Sequence, residues 1–252
     1  MQENHEALLD LAQPRTVVLS DRGKTYVLHC RRVTDADWRE YLMGGTVTSE
    51  SNGKERFDTV ETDTPFLELA ERVLTGAQGY TVTGGADLTT LPNWQKKIPL
   101  AHRRMVGYTL ADVGPSVAGD LTIDPEVEVI SLDATWSVAD DSESMTKYSG
   151  LQHFLKTPSE AQYRRYANES SRRRVIGGSR SGKTVYSNAS MILLAAMYDE
   201  LVVRVDGYSV NGSKFEAVET IRGEMDMFHK IRAAQELFAP SSAVKLAGGE
   251  EG

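Results

Sequence analysis

Gly79-Tyr80-Thr81-Val82-Thr83-Gly84 returns as Gly207-Tyr208-Ser209-Val210-Asn211-Gly212, 128 residues further along the chain. Upstream, Trp38-Arg39-Glu40-Tyr41 answers to Tyr163-Arg164-Arg165-Tyr166 at a shift of 125, and downstream His102-Arg103 answers to His229-Lys230 at a shift of 127. Self-similarity at a nearly constant spacing, with its anchors in one order, is the signature of a repeated structural unit. The reading is therefore α+β, with two pseudo-symmetric modules from an internal duplication, each a β-hairpin plus helices. Residues 14–115 form the first module and 124–238 the second. Residues 116–123 are a linker, and residues 1–13 and 239–252 are flexible tails.

The elements of each copy come from local chemistry. In the first, Thr16-Val17-Val18-Leu19 and Thr25-Tyr26-Val27-Leu28 flank Asp21-Arg22-Gly23-Lys24, which predicts a hairpin. Thr34 is placed to cap a helix carrying Trp38 and Tyr41, which Gly44-Gly45 ends. Asn52-Gly53 marks a second hairpin. Pro65 sits in the first turn of an apolar helix, and Ile98-Pro99 leads into a helix through Leu110. The second copy repeats the order: strands at 127–138 and 145–155, then a Ser159-capped helix with Tyr163 and Tyr166. A hairpin about Ser181-Gly182, an apolar helix over 188–201 and a last helix over 228–238 complete it. The two Trp/Tyr helices are expected to dock on one another.

The bulk properties narrow the function classes. The 252 residues are 40% hydrophobic and 25% charged, the balance of a globular chain rather than a disordered one. A net charge of −8 opposes binding to nucleic acid or anionic membrane by the molecule as a whole. The single cysteine, Cys30, leaves no disulfide framework. Residues 1–13 lack a secretory pattern, and no apolar run reaches membrane-spanning length. A cytoplasmic location is expected.

Two stretches carry candidate chemistry. Gly177-Gly178-Ser179-Arg180-Ser181-Gly182-Lys183-Thr184 matches a phosphate-binding loop, in which Gly177, Gly182, Lys183 and Thr184 would hold a nucleotide. Against this, only Val175 and Ile176 supply an apolar strand before it, and the repeat partner Ser51-Asn52-Gly53-Lys54 reads as a plain hairpin turn. The Gly-Lys pair is thus expected at a hairpin tip. The second stretch is basic: residues 156–183 hold eight bases and two acids. Its Arg164, Arg165, Arg172, Arg173, Arg174, Arg180 and Lys183 are the candidate partner-binding residues, suited to an acidic protein surface, another copy of the chain included. Nucleic acid is the disfavoured alternative.

Catalysis, cofactors and metals draw no support from the sequence. His5, His29, His102, His153 and His229 lack the spacing of a helical metal site and read as unconnected, although His102 and His229 hold matched repeat positions. Cys30 beside Arg31 and Arg32 is open to a lowered pKa, but a strand cysteine is ordinarily core packing.

The order from Asp21-Arg22-Gly23-Lys24-Thr25-Tyr26 through Thr34-Asp35-Ala36-Asp37-Trp38-Arg39-Glu40-Tyr41, an apolar helix, Gly-Tyr and the Ile98-Pro99 helix resembles tail-assembly chaperones and minor structural proteins of tailed bacteriophages. Here the unit is present twice, over residues 14–115 and 124–238. The resemblance implies a non-enzymatic protein that binds other phage structural or assembly proteins, or itself. It implies a place in the host cytoplasm or the virion, and no membrane.

Overall fold

A computed structural model describes residues 8–44, 46–51, 56–60, 63–116, 126–136, 146–170, 174–175, 184–187 and 189–239. The chain is mixed α and β. After β1 (Leu9–Asp10), β2 (Arg15–Asp21) and β3 (Lys24–Cys30) form the expected hairpin, followed by α1 (Asp35–Gly44), β4 (Thr46–Ser51) and β5 (Arg56–Val60). Next come α2 (Asp63–Val73), β6 (Leu74–Gln78), α3 (Trp94–Lys97), α4 (Leu100–Leu110) and β7 (Val113–Pro115). The second half runs through β8 (Val127–Trp136), β9 (Thr146–Lys156), α5 (Glu160–Ser170), β10 (Arg174–Val175) and β11 (Thr184–Ser187). It closes with α6 (Ala189–Leu201), β12 (Val202–Asp206), β13 (Tyr208–Val210), β14 (Ser213–Lys214), α7 (Val218–Glu224) and α8 (Met227–Phe238). No described helix is long and apolar enough to cross a membrane.

The two halves share a pairing pattern. One sheet has the order β2-β3-β6, and another runs β7-β8-β9-β12. In the first, β3 pairs with β6 from Val27↔Gln78 to Cys30↔Leu74, with an irregularity next to the last pair. In the second, β9 pairs with β12 from Gln152↔Asp206 to Leu155↔Val202, with an irregularity at the same step. At the end of β6 stands Gly79 and at the end of β12 Gly207, with φ of 87° and 89°. A side chain at Gly79 would meet the Thr25 carbonyl at 2.5 Å, so the turn leading to each tyrosine requires glycine.

The halves are not separate bodies. Leu28, Trp38, Leu69 and Val106 belong to the same apolar cluster as Leu155, Tyr198, Ile231 and Phe238. Trp38 lies against Phe228 with ring centroids 4.7 Å apart, and Tyr41 spans Phe228 and Phe66 at 6.1 and 5.1 Å. Tyr163 and Tyr166 instead pack on Phe238, at 5.2 and 5.3 Å. The aromatic helices α1 and α5 therefore use different ends of α8 rather than each other.

Two further differences from the sequence expectations concern boundaries. Leu9 and Leu11, assigned to a tail, are 0% and 1% exposed. β1 pairs in parallel with β13, and Asp10 accepts the backbone N–H groups of Asn211 and Gly212 at 3.0 and 2.8 Å. Two residues of paired strand gave no periodic signal, which is why the segment reads as a tail. Val113–Pro115, assigned to the first module, pairs with Leu132–Ala134 in the second half's sheet. Of the 116–123 linker only Ser116 is described, and of the 239–252 tail only Ala239.

Leu11→Ala is expected to lower unfolding free energy by about 2–4 kcal/mol in urea titrations, the range for truncating a buried leucine. A change below about 0.5 kcal/mol would mean that the segment is the exposed tail the sequence suggests.

Candidate functional site

The deepest polar feature is built from β9, α6, β13 and α8. His153 Nδ1 lies 2.8 Å from the Tyr198 hydroxyl, and His153 Nε2 lies 2.8 Å from the Tyr208 hydroxyl. That same Tyr208 oxygen is 2.8 Å from His229 Nδ1. All four residues are buried. Tyr208 has one hydroxyl hydrogen for two imidazoles, so one ring donates to its oxygen while the other accepts from it. The chain ends on His229 Nε2, a buried nitrogen with no hydrogen-bond partner among the described residues.

Burial sets the protonation of this chain. It pushes His153 well below its ordinary value, with His229 adding to the effect. It takes His229 down to about 3, helped by the positive charge of Arg15. Both rings are neutral near pH 7. The sequence treats the histidines as unconnected; the fold joins two of them through one tyrosine. The matched position of His102 and His229 was the available signal, and His153 gave none, because its partner lies 55 residues away on another element.

The first half holds a reduced version. Tyr80 bonds His102 Nδ1 at 2.8 Å, as Tyr208 bonds His229, and His102 Nε2 faces Asp21 Oδ2 at 3.3 Å. Tyr26 packs on both rings at 4.7 Å. Leu28, fully buried, occupies the strand position that His153 occupies in the other half.

A second set of polar groups joins the halves. Asp226 caps α8 by accepting from the Phe228 N–H at 2.8 Å and takes the Trp38 indole N–H at 3.0 Å. Arg32 bonds the Glu224 carboxylate and carbonyl at 2.7 and 2.6 Å. Arg31 grips Asp37 with two bonds of 2.7 and 2.9 Å, while Thr34 and Asp37 complete the α1 cap. Burial pushes the Asp37 carboxyl up, but the bonds from Arg31 and Thr34 outweigh it and hold the pKa at about 2. Arg15 closes the end of α4 by donating to the Leu110 and Thr109 carbonyls at 2.8 and 3.1 Å. Cys30, buried opposite Arg15, is pushed up to about 12 by burial, the reverse of the activation its arginine neighbours suggest.

The surface candidates lie elsewhere. A cleft of about 460 Å³ is lined by Glu68, Glu71, Arg72, Asn93, Gln95 and Lys96. Its charges are mostly committed: Glu71 pairs with Arg103, and Arg72 pairs with Glu40. Leu100, Met105 and Tyr108 on α4 are each nearly half exposed. Among the described residues, no cluster of three His, Cys, Asp or Glu is placed to hold a metal ion.

The basic residues singled out in the sequence are scattered by the fold. Arg164 pairs with Glu160 at 2.5 Å and Arg165 with Glu200 at 2.7 Å, so two of the seven already have carboxylate partners on α5 and α6. Arg174 stands in β10, and Arg172, Arg173, Arg180 and Lys183 lie outside the described residues, as do Gly177 and Gly182. The strands around the phosphate-loop match decide its context. Arg174↔Val185 and Val175↔Thr184 are antiparallel pairs, so Thr184 opens a strand. A nucleotide loop needs a helix beginning there, with its N–H groups facing the phosphates. Likewise Val202–Asp206 runs antiparallel to β9 rather than beside a parallel nucleotide-binding strand. A strand at Thr184 is not the helix start that nucleotide binding through Gly177, Gly182, Lys183 and Thr184 calls for.

β10 and β11 also join the first half. The order β10-β11-β4-β5 makes one sheet, in which Thr184↔Ser49 through Ser187↔Thr46 link two hairpins from distant parts of the chain. The segment between α1 and α2, residues 45–62, has four acids and two bases; that between α5 and α6, residues 171–188, has five bases and no acid.

In comparisons with known proteins, no family model, no curated protein and no solved structure matches this chain.

Two measurements check the buried chain. Tyr208→Phe strips a partner from both histidines and is expected to cost about 3 kcal/mol, against about 1 for Tyr80→Phe at its half-buried site. The histidines' lowered values also fix a pH window. For His229 the contribution is whole above the unfolded value near 6.5 and is lost as pH falls toward about 3, and His153, also lowered, loses its contribution in the same direction, because the unfolded chain binds protons that the folded chain refuses. Stability should drop by roughly 1 kcal/mol per pH unit per histidine, and His229→Gln should flatten that slope.

Proposed function

We propose that this chain is a protein-binding assembly component, of the kind that brings structural proteins together in tailed bacteriophages. It would act as a tail-assembly chaperone or minor morphogenetic protein in the host cytoplasm, with a place in the virion open to it. One observation carries the reading: two hairpins, one net acidic and one net basic, pair into a single sheet whose outer strands, β5 and β10, have a neighbour on one side only among the described residues. An outer strand offers unpaired N–H and C=O groups, and peptide addition to such an edge is a recurrent mode of protein recognition. Arg172, Arg173 and Arg174 flank or form one of these strands. Arg164 and Arg165, already paired, contribute less. The exposed apolar side of α4 adds surface of the same kind. The bacteriophage setting rests on the resemblance in element order, and the internal duplication is supported by the matched pairing of β3–β6 and β9–β12.

Co-expression with the tail-tube and tape-measure proteins of a tailed bacteriophage tests the reading. A stoichiometric complex that survives gel filtration and weakens at least tenfold in Arg172→Glu/Arg174→Glu is the expected result. No complex with either protein, together with magnesium-dependent ATP or GTP binding abolished by Lys183→Ala, would overturn it.

A further inference from the structure

The register of the composite sheet repeats. In the first hairpin Thr48 pairs with Thr59 and Ser49 with Asp58; in the second Arg174 pairs with Val185 and Val175 with Thr184. Every one of these residues in the second hairpin is 126 positions after its counterpart in the first, on both strands. β10 thus corresponds to β4, and β11 to β5. The sheet order then reads first strand, second strand, first strand, second strand, all antiparallel. The hairpins are arranged head to tail, not about a two-fold axis. In a two-fold arrangement the two inner strands would correspond to each other; here β11 meets β4, the counterparts of a second and a first strand.

This arrangement leaves complementary ends. Among the described residues β5 and β10 each have one unpaired edge: that of β5 corresponds to the edge with which β11 holds β4, and that of β10 to the edge of β4 that is held. The charges agree with the geometry. β5 holds Arg56 and Asp58, with Glu61 and Asp63 following in sequence; β10 holds Arg174, with Arg172 and Arg173 preceding it in sequence. The net acidic first hairpin attracts the net basic second one, while β10 against β10 sets like charges together. Charged edges ordinarily guard a sheet against chance pairing, and opposite charges on its two edges instead select one pairing.

We propose that the sheet continues between molecules, with β5 of one copy pairing antiparallel to β10 of the next. Transferring the β11–β4 register by 126 positions sets Thr59 opposite Arg174 and Asp58 opposite Val175 of the neighbouring copy. Such a contact uses two different surfaces, so it builds a closed ring if its rotation closes and an open filament if it does not. The proposal rests on the assembly reading and names its partner: a second copy of this chain.

Cysteine cross-linking tests the register. Within one molecule Thr59 and Arg174 stand on the two outermost strands, about 14 Å apart at the usual strand spacing, beyond disulfide reach. Cys30 is buried and does not compete. Under mild oxidation, an equimolar mixture of Thr59→Cys and Arg174→Cys should give a cross-linked dimer, and the double variant a ladder of multimers. Each single variant alone should stay monomeric on a non-reducing gel. Sedimentation of the wild type keeps the test independent of these substitutions: association at low salt should weaken at least tenfold at high salt and in Arg174→Glu. A wild type that stays monomeric at low salt, or single variants that cross-link to themselves as readily as to each other, would overturn the proposal. A monomer that still binds the tail-tube or tape-measure protein would sink self-assembly and leave the assembly reading standing.

Discussion

Asp226 serves two helices from opposite halves of the chain at once. Its carboxylate begins α8 by taking the Phe228 N–H, and it receives the Trp38 indole N–H from α1. Burial pushes this carboxyl up, and the bonds from Trp38 and Phe228, with the charge of Arg15, work against that push. Trp38, held in this way, orders the aromatic rings around it. Its ring sets Phe228, Tyr41 bridges Phe228 to Phe66, and Phe66 packs on Tyr108 at 4.3 Å. α2 and α4 approach so closely there that a methyl group on Gly107 would come within 2.7 Å of the Phe66 ring. One carboxylate thus anchors an aromatic line from α8 across to α4.

Much of the architecture was legible because it rests on local signals. Thr34 before Asp37, Ser159 before Gln162, the turn at Arg22-Gly23 and the apolar run of α6 each encode their element within a few residues. The Gly-Tyr repeat was legible for a physical reason as well: a positive φ and a close backbone approach both demand glycine, and the tyrosine after it reaches a histidine in each half. Long-range pairings left no such trace. β1 is two residues, β7 is three, and their partners lie far along the chain. The union of the hairpins across β4 and β11 was equally silent, since neither strand is marked as preferring the other over its own hairpin mate.

The candidate chemistry is less legible in the sequence than the fold. Glycine and lysine at phosphate-loop spacing do not specify the element that comes after them, and a strand at Thr184 removes the helix that such a loop requires. Basic residues counted along the chain become different things in space. Arg164 and Arg165 face carboxylates on α5 and α6, whereas Arg174 belongs to an outer strand. The histidines show the converse. His153 was unremarkable in sequence, yet with His229 it flanks one tyrosine in the core. Strands β3 and β9 differ in what they bury: Leu28 in one, His153 in the other.

Both halves form one cooperative body, held across Trp38 and Asp226. Native-state hydrogen exchange tests it most directly, through the amides of β3 and β9, each the middle strand between two partners of its half. Equal opening free energies for the two strands, falling together in Trp38→Phe, are the result this account requires. Exchange of one strand at a much lower free energy, with the other still protected, would show two independent bodies and contradict it.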